Sequence, residues 1–339
     1  MNPALTALRS FFEPAAERHS SLSTPRTNWR RSRPKVPSLP VAVAYSGGAD
    51  STALLIAAAA FWPGQVRALH VHHGLQAAAD QFAETCASVC EALGVPLSVL
   101  RVDARHAPGD SPEDAARLAR YAALATAAAE QGASAVLLGQ HADDQVETLL
   151  LALSRGAGLP GLASMAGRFE RNGMVFFRPL LQTPAGVLRS WLVGQNVAFM
   201  DDPTNTDERF TRNRIRARLL PALAGAFPQF RETFARSARH AAQAQAVLSE
   251  VAQMDLDVVG SPPEIRCLQG FSVARQANVL RYWLQKENAT PSAAQLDELL
   301  DQVAACTTRG HRIRIKVGTG YITRHGDKLA FGQEPAAPA

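Results

Sequence analysis

Lysine, cysteine and long apolar runs are scarce in this chain, and each shortage removes a class of protein. The four cysteines, Cys86, Cys90, Cys267 and Cys306, form no CxxC pair, so neither a disulfide framework nor a structural zinc site is expected. The longest apolar run, with Leu54 to Trp62 as its body and Ala53 before it, has ten residues, against the roughly 20 needed to cross a bilayer. The first 20 residues hold no continuous apolar stretch of the secretory kind. No membrane association and a cytoplasmic location are therefore expected. Only 19% of the 339 residues are charged and 47% are apolar, enough for a sizeable core and two to three domains. Of the 35 basic side chains only 4 are lysine. An arginine excess suits phosphate and base recognition, and it equally follows from a GC-rich gene.

The net charge of +5 resides wholly in residues 1–40, where seven basic groups face Glu13 and Glu17. Residues 1–40 therefore read as a basic extension, with a short helix near 4–18 and a disordered Ser/Pro/Arg-rich linker over 20–40. A nucleic-acid-binding arm and a solvated tail without a role are equally compatible with it. Removing 1–38 is expected to leave catalysis intact.

From Val41 the pattern alternates. Short apolar runs at 41–45, 66–73, 96–103 and 135–139 each precede a helical stretch, at 50–62, 78–93, 111–130 and 142–153. That order predicts a parallel sheet covered on both faces, with ligands at the carboxyl ends of its strands. Beyond residue 154 come a Gly-rich loop, an apolar run at 174–181 and helices at 184–195, 212–223 and 229–254. Residues 260–263 read as a domain break. Two more helices, at 272–287 and 291–306, precede strands at 312–317 and 320–324.

Ser46-Gly47-Gly48-Ala49-Asp50-Ser51 lies between the first strand and the first helix of this alternation. Two glycines bring bare N–H groups to an anion, the serines add hydroxyl donors, and the helix N-terminus points its positive end there. Asp50 makes sense beside phosphates when a cation such as Mg²⁺ bridges them. A Gly-Lys-Ser/Thr sequence is missing, so this is not a Walker loop. His70, His72 and His73 end the second strand, and His73, nearest the turn, is the favoured nucleotide-site residue. In the block Gly139 to Thr148, Asp144 and Glu147 share a helix face three residues apart. Two carboxylates there suit an amine or a metal, and favourable acids in a first turn are the plainer explanation. Glu113, Arg117 and Arg120 form either a surface ladder or a phosphate or carboxylate contact. Arg209, Arg212, Arg214, Arg216 and Arg218 can neutralise several phosphates, or form the charged outer face of an amphipathic helix.

The SGGADS loop resembles the SGGxDS pyrophosphatase-loop family. With HVHHGL, QHADDQVET, SRGAGLPGLASM and DDPTNTDERFTRNRIRARLLP, the resemblance is to the tRNA(Ile)-lysidine synthetase family, over about 41–331. It implies an α/β fold: a doubly wound parallel sheet (adenine nucleotide alpha hydrolase-like) at 41–225, then a smaller, mainly helical tRNA-binding domain at 226–332 ending in short strands, and a tail at 333–339. It implies that ATP adenylates C2–O of the wobble cytidine of tRNA(Ile) and that free lysine then displaces AMP. Ser46, Gly47, Gly48, Ala49, Asp50, Ser51 and His73 would bind ATP, with Asp50 at Mg²⁺. Asp144 and Glu147 would bind lysine. Arg117, less surely Arg120, would bind ATP phosphate or the lysine carboxylate, and Arg209, Arg212 and Arg214 would serve the tRNA. A homodimer is left open.

The chain departs from that pattern in three places. Gly139-Gln140-His141 stands where many members read Gly-His-His. The further C-terminal domain of some members has no counterpart, which is the pattern of the short form. Residues 1–40 have no counterpart that these motifs place in the family pattern. The alternatives are a tRNA thiolase of the same superfamily, which needs reactive cysteines, and a tRNA-binding protein without activity.

Overall fold

The computed structural model describes residues 1–13, 34–72, 78–102, 112–201, 207–308 and 310–332. These form two compact units, Met1–Arg239 and His240–Ala339.

The first unit begins with α1 (Pro3–Phe12), capped by the Asn2 side chain. Then follow β1 (Val41–Ala44), α2 (Ala49–Phe61), β2 (Val66–His72), α3 (Ala78–Leu93), β3 (Leu97–Arg101), α4 (Pro112–Glu130), β4 (Ala135–Leu137) and α5 (Ala142–Ser154). After the short α6 (Leu159–Leu162) come β5 (Arg168–Arg171), β6 (Met174–Phe177) and α7 (Ala185–Gly194). A helical stretch closes the unit: α8 (Thr211–Arg214), a π-helical turn (Ile215–Leu219), α9 (Leu220–Ala226) and the start of α10 (Phe230–Val259).

The sheet order is β3-β2-β1-β4-β6-β5, parallel except for β5, which pairs antiparallel with β6. Both faces are buried, and strand alternation sorts the residues between two cores. Val41, Val43, Leu137 and Phe177 join one core with α1, α2 and α7. Ala42, Val136, Leu138 and Phe176 join another with Tyr121 and Leu124 of α4. The longest apolar run is thus a central helix: Ala53, Leu54, Leu55, Ala57 and Ala58 are all fully buried. From β1 the chain moves outward to β2 and β3, then returns to place β4 on β1's other side. The turns after β1 and β4 therefore flank the point where strand order reverses, the ligand position of such sheets.

Three sequence expectations need correction. Residues 1–40 are not wholly an extension outside the fold. Ala4, Leu8 and Phe12 of α1 are buried, and Phe12 sits edge-on to Trp62 and Phe177 at 5.4 and 5.2 Å. Three apolar residues at a spacing of four make one helix face, which the basic charge count hides. Most of the expected linker falls outside the described residues. The helix expected at 212–223 is interrupted by the π turn. Finally, the expected break at 260–263 is a turn inside the second unit, where Glu264 N–H donates to Val259 O and pairs with Lys328.

The second unit contains the rest of α10, α11 (Ile265–Gln269), α12 (Val273–Lys286), α13 (Ala293–Ala305) and the antiparallel sheet β7 (Arg314–Val317), β8 (Gly320–His325) and β9 (Lys328–Gly332). Leu280, Trp283, Leu284, Leu299, Val317, Ile322 and Leu329 form its core. Asp255 is 1% exposed and is held by both Nε and Nη2 of Arg275.

Candidate active site

The turn after β1 is held by its own side chains. Ser46 Oγ and Ser51 Oγ lie 3.0 Å apart, Ser51 Oγ donates to Gly48 O at 3.0 Å, and Thr52 Oγ1 donates to the same carbonyl at 2.9 Å. Met200 N–H donates to Gly47 O at 2.9 Å and braces the loop from outside. Gly48 is the N-cap of α2 and no side chain caps it, an arrangement that leaves a helix N-terminus open to an anion. Ser46 to Ser51 thus form one internally bonded loop at the N-terminus of α2.

The turn after β4 runs against this loop. A Cβ on Gly139 would stand 3.2 Å from Ser51 N and 3.3 Å from Ser51 Cα, so a larger residue would push the two turns apart by a few tenths of an ångström. Two residues on, His141 caps α5 in a capping box: its Nδ1 accepts from Asp144 N–H at 3.3 Å, while its own N–H donates to Asp144 Oδ2 at 3.1 Å. Nε2 of the same ring lies 3.4 Å from Asp50 Oδ2 and 3.4 Å from Asp144 Oδ2. His141 is therefore the side chain that joins the phosphate loop to the acidic helix. Burial opposes its charge, but Asp50, Asp144 and Asp143 outweigh burial and push its pKa up to about 9. The Nδ1 cap needs a neutral ring nitrogen, so cap and carboxylates pull the proton balance in opposite directions.

Asp144 and Glu147 do share a face, and both meet arginines. Arg216, from the π turn, donates through Nε to Glu147 Oε1 at 2.5 Å and through Nη2 to Glu147 Oε2 at 3.0 Å and Asp144 Oδ1 at 3.1 Å. Arg212 Nη1 stands 3.6 Å from Glu147 Oε2. The Glu147 side chain is fully buried, whereas Asp144 keeps 14% of its surface. Burial pushes the Glu147 carboxyl above its ordinary value, an effect that Arg216 and Arg212 partly offset and Asp144 reinforces. A π turn inside a helix is a frequent mark of functional positions, and here it presents Arg216 to the acids.

Asp50, Asp144, Glu147 and Arg212 are thus brought together, with His141 and Arg216. Sequence reasoning left His141 without a role and did not separate Arg216 from its neighbours. No local signal singles out Arg216, because the π turn changes the helix phase just before it. Asp143 was also missed: it accepts from Ala185 N–H at 2.9 Å and Arg231 Nε at 2.6 Å, which ties α5 to α7 and α10. Other expected residues lie elsewhere. Arg209 pairs with Asp207, and Arg214 donates to the carbonyls of Glu208 and Arg209. Arg117 and Arg120 project from α4, beside Tyr121 on the sheet face opposite α2, and no contact joins them to Asp50 or Asp144 among the described residues. The side chain of Glu113 and the whole of His73 lie outside the described residues. His70 packs structurally, with Nδ1 2.9 Å from Tyr45 O.

The cysteines show no reactive environment. Cys86 and Cys90 are buried, and burial pushes their thiols up to about 12 and about 11. Among the described residues no three His, Cys, Asp or Glu side chains form a metal cluster, and no helix is long and apolar enough to cross a membrane.

The sheet, its switch point and the glycine-rich turn define an ATP-binding protein of the PP-loop class, and residues 25–223 match the PP-loop domain model. Residues 264–330 match the TilS substrate binding domain. The tRNA(Ile)-lysidine synthase of Polaromonas naphthalenivorans is 65% identical over 99% of this chain and 97% of its own length. That of Burkholderia pseudomallei is 44% identical over 81% of this chain, which spans 58% of that relative. The chain belongs to the tRNA(Ile)-lysidine synthase family. The U34-tRNA thiolase NcsA of Methanococcus maripaludis shares the fold, with a TM-score of 0.55 at 14% identity, over 70% of this chain and 77% of that one.

Proposed function

We propose that this protein ligates free lysine to C2 of the wobble cytidine of a tRNA(Ile) with a CAU anticodon, at the cost of ATP. The cytidine O2 attacks the α-phosphorus of ATP, the bond to the β-phosphate oxygen breaks, and pyrophosphate leaves. The lysine ε-amine then attacks C2, the C2–O bond breaks with release of AMP, and the nitrogen gives up a proton.

The observation that carries this reading is His141 Nε2, at 3.4 Å from both Asp50 and Asp144. It supports the reading because the Ser46–Ser51 loop and the Asp144 carboxylate lie within one side chain of each other, the proximity that a reaction in two stages at one nucleotide requires. The first-turn N–H groups of α2 and the hydroxyls of Ser46 and Ser51 hold and orient the ATP phosphates. Asp50, a hard oxygen donor with a third of its side chain exposed, fits a magnesium ion shared with phosphates. Such an ion supplies charge neutralisation to the departing pyrophosphate. Asp144 takes the lysine ammonium. Glu147, behind it and fully buried, shares Arg216 with Asp144 and so fixes the position of that carboxylate. Arg216 and Arg212 hold both acids in place until the amine arrives.

The buried thiols of Cys86 and Cys90 disfavour the thiolase alternative. A binding protein without activity would leave the cradle and Asp50 without a purpose. ATP–pyrophosphate exchange that depends on tRNA tests the reading: exchange is expected with wild-type protein, and its absence would leave only a binding role.

A further inference from the structure

The segment after α7 ends against the glycine-rich turn and carries an ion pair that the proposed reaction does not use. Asn196, at a φ of 53°, turns the chain back at the end of α7. Val197 and Phe199 then pack on the core that holds α2. Met200 meets the turn itself: its N–H donates to Gly47 O at 2.9 Å, and it forms a parallel bridge with Gly48. Asp201, the next residue, accepts from Arg189 of α7 through both Nη1, at 2.8 Å, and Nη2. The Arg189 guanidinium lies 4.9 Å from the centre of the Phe199 ring. The start of α7 is also tied to the site, since Ala185 N–H donates to Asp143 Oδ2 at 2.9 Å.

Both partners of this pair are exposed. Such a pair adds little to stability, because water screens it and two side chains must be held in one geometry. Its effect is on the charge beside the turn. The hydrogen bonds to Asp201 hold the Arg189 guanidinium above its ordinary value, and the charge of Asp50 acts in the same direction. Arg189 and Asp50 are therefore electrostatic neighbours, one on α7 and one in the first turn of α2.

The position narrows the ligand. Asp201 stands one residue from the partner of Gly48, where a bare carboxylate would repel an anion at the N-terminus of α2. Arg189 covers that charge. Guanidinium binds carboxylate and phosphate in the same bidentate geometry. A phosphate at the turn therefore takes the guanidinium from Asp201 by exchanging like hydrogen bonds for like. Stacking on Phe199 keeps the planar group at this edge during the exchange. The triphosphate is the anion with charge to place there. When the bond from the α-phosphorus to the bridging oxygen breaks, its electron pair stays on the pyrophosphate, and negative charge grows on that group. The guanidinium meets this charge without gaining or losing a proton.

We propose that Arg189 is an exchangeable clamp for the pyrophosphate part of ATP: Asp201 holds it beside the Ser46–Ser51 turn in the unliganded protein, and the β- and γ-phosphates take it over. The proposal rests on the reading that ATP is cleaved between its α- and β-phosphates at this turn. Asp201 is then the competitor that reclaims the guanidinium and helps pyrophosphate to leave.

The test measures binding of ATP, AMP and inorganic pyrophosphate to the full-length protein by calorimetry, with magnesium present. The proteins compared are wild type, Arg189→Ala, Arg189→Lys and Asp201→Asn, each checked for folding by thermal melting. Arg189→Ala is expected to weaken ATP and pyrophosphate about tenfold and to leave AMP unchanged, with Arg189→Lys recovering part of the loss. Asp201→Asn is expected to act the other way, tightening pyrophosphate about threefold because the competing carboxylate is gone. Loss of affinity in both Arg189→Ala and Asp201→Asn would show that the pair supports the turn as a unit, and would overturn the exchange. Wild-type pyrophosphate affinity in Arg189→Ala, or an equal loss for AMP, would overturn the clamp while the reading of the turn as an ATP site stands. Wild-type protein that binds no ATP would overturn that reading, and the clamp with it. These measurements need no tRNA, so they decide the clamp even where lysidine formation fails.

Discussion

Arg216 and Glu147, 69 residues apart in the chain, form a bidentate ion pair in which the carboxylate is fully buried and the guanidinium partly exposed. Removing the arginine strands a buried acid. Arg216→Ala is expected to destabilise the protein by about 2–3 kcal/mol, below the roughly 3–5 kcal/mol of a wholly buried pair because Arg216 reaches solvent. Urea denaturation measures it. Arg216→Ala combined with Glu147→Gln should recover part of the loss. A double variant as unstable as the sum of the singles would show that the pair is not coupled.

Asp50→Ala is expected to abolish tRNA-dependent pyrophosphate release while leaving tRNA affinity within about twofold, since Asp50 stands at the phosphate cradle. Pyrophosphate release at the wild-type rate would remove Asp50 from the chemistry.

Asp144→Asn and Glu147→Ala separate the two acids. Both are expected to raise the KM for lysine more than that for ATP, with the larger change at Asp144, which keeps some exposed surface. Equal increases for the two substrates would mark the acids as a metal or packing site.

Phe12→Ala is expected to cost about 3–5 kcal/mol, the usual penalty for emptying a buried aromatic position. Phe12 is 4% exposed and touches Trp62 and Phe177. Deletion of residues 1–13 should therefore lower the melting temperature of the first unit. A truncation with unchanged melting and activity would show that α1 is dispensable.

Cys86 and Cys90 are expected to resist alkylation at pH 7–8 in the folded protein, because burial keeps their thiols protonated well above that range. Mass spectrometry after iodoacetamide treatment reports it. Rapid labelling of either, with the fold intact, would reopen a thiolase.

Much of the fold was legible because its signals are local. Runs such as Val41–Ala44 and Val66–His72 alternate with helices, and that order alone implies parallel pairing around a switch point. The antiparallel β5 had a signal too: Asn172-Gly173, with φ of 51° and 71°, is the turn dipeptide of a tight hairpin. The glycine-rich turn between β1 and α2 was equally readable, since its residues are contiguous. What stayed hidden depends on distance. Nothing local tells that His141 meets Asp50, or that Arg216 rather than Arg214 faces Glu147, because the π turn resets the helix phase between them. The buried face of α1 was hidden by the charge of the segment after it. The net charge of +5 was therefore a poor guide to the site, because it belongs to the segment before β1.

The most direct test of lysidine formation is mass spectrometry of tRNA(Ile) after incubation with the protein, ATP and lysine. A gain equal to lysine minus water, mapped to the wobble cytidine and absent with Asp50→Ala, is the predicted result. An unchanged mass, or replacement of oxygen by sulfur at that base, would contradict it.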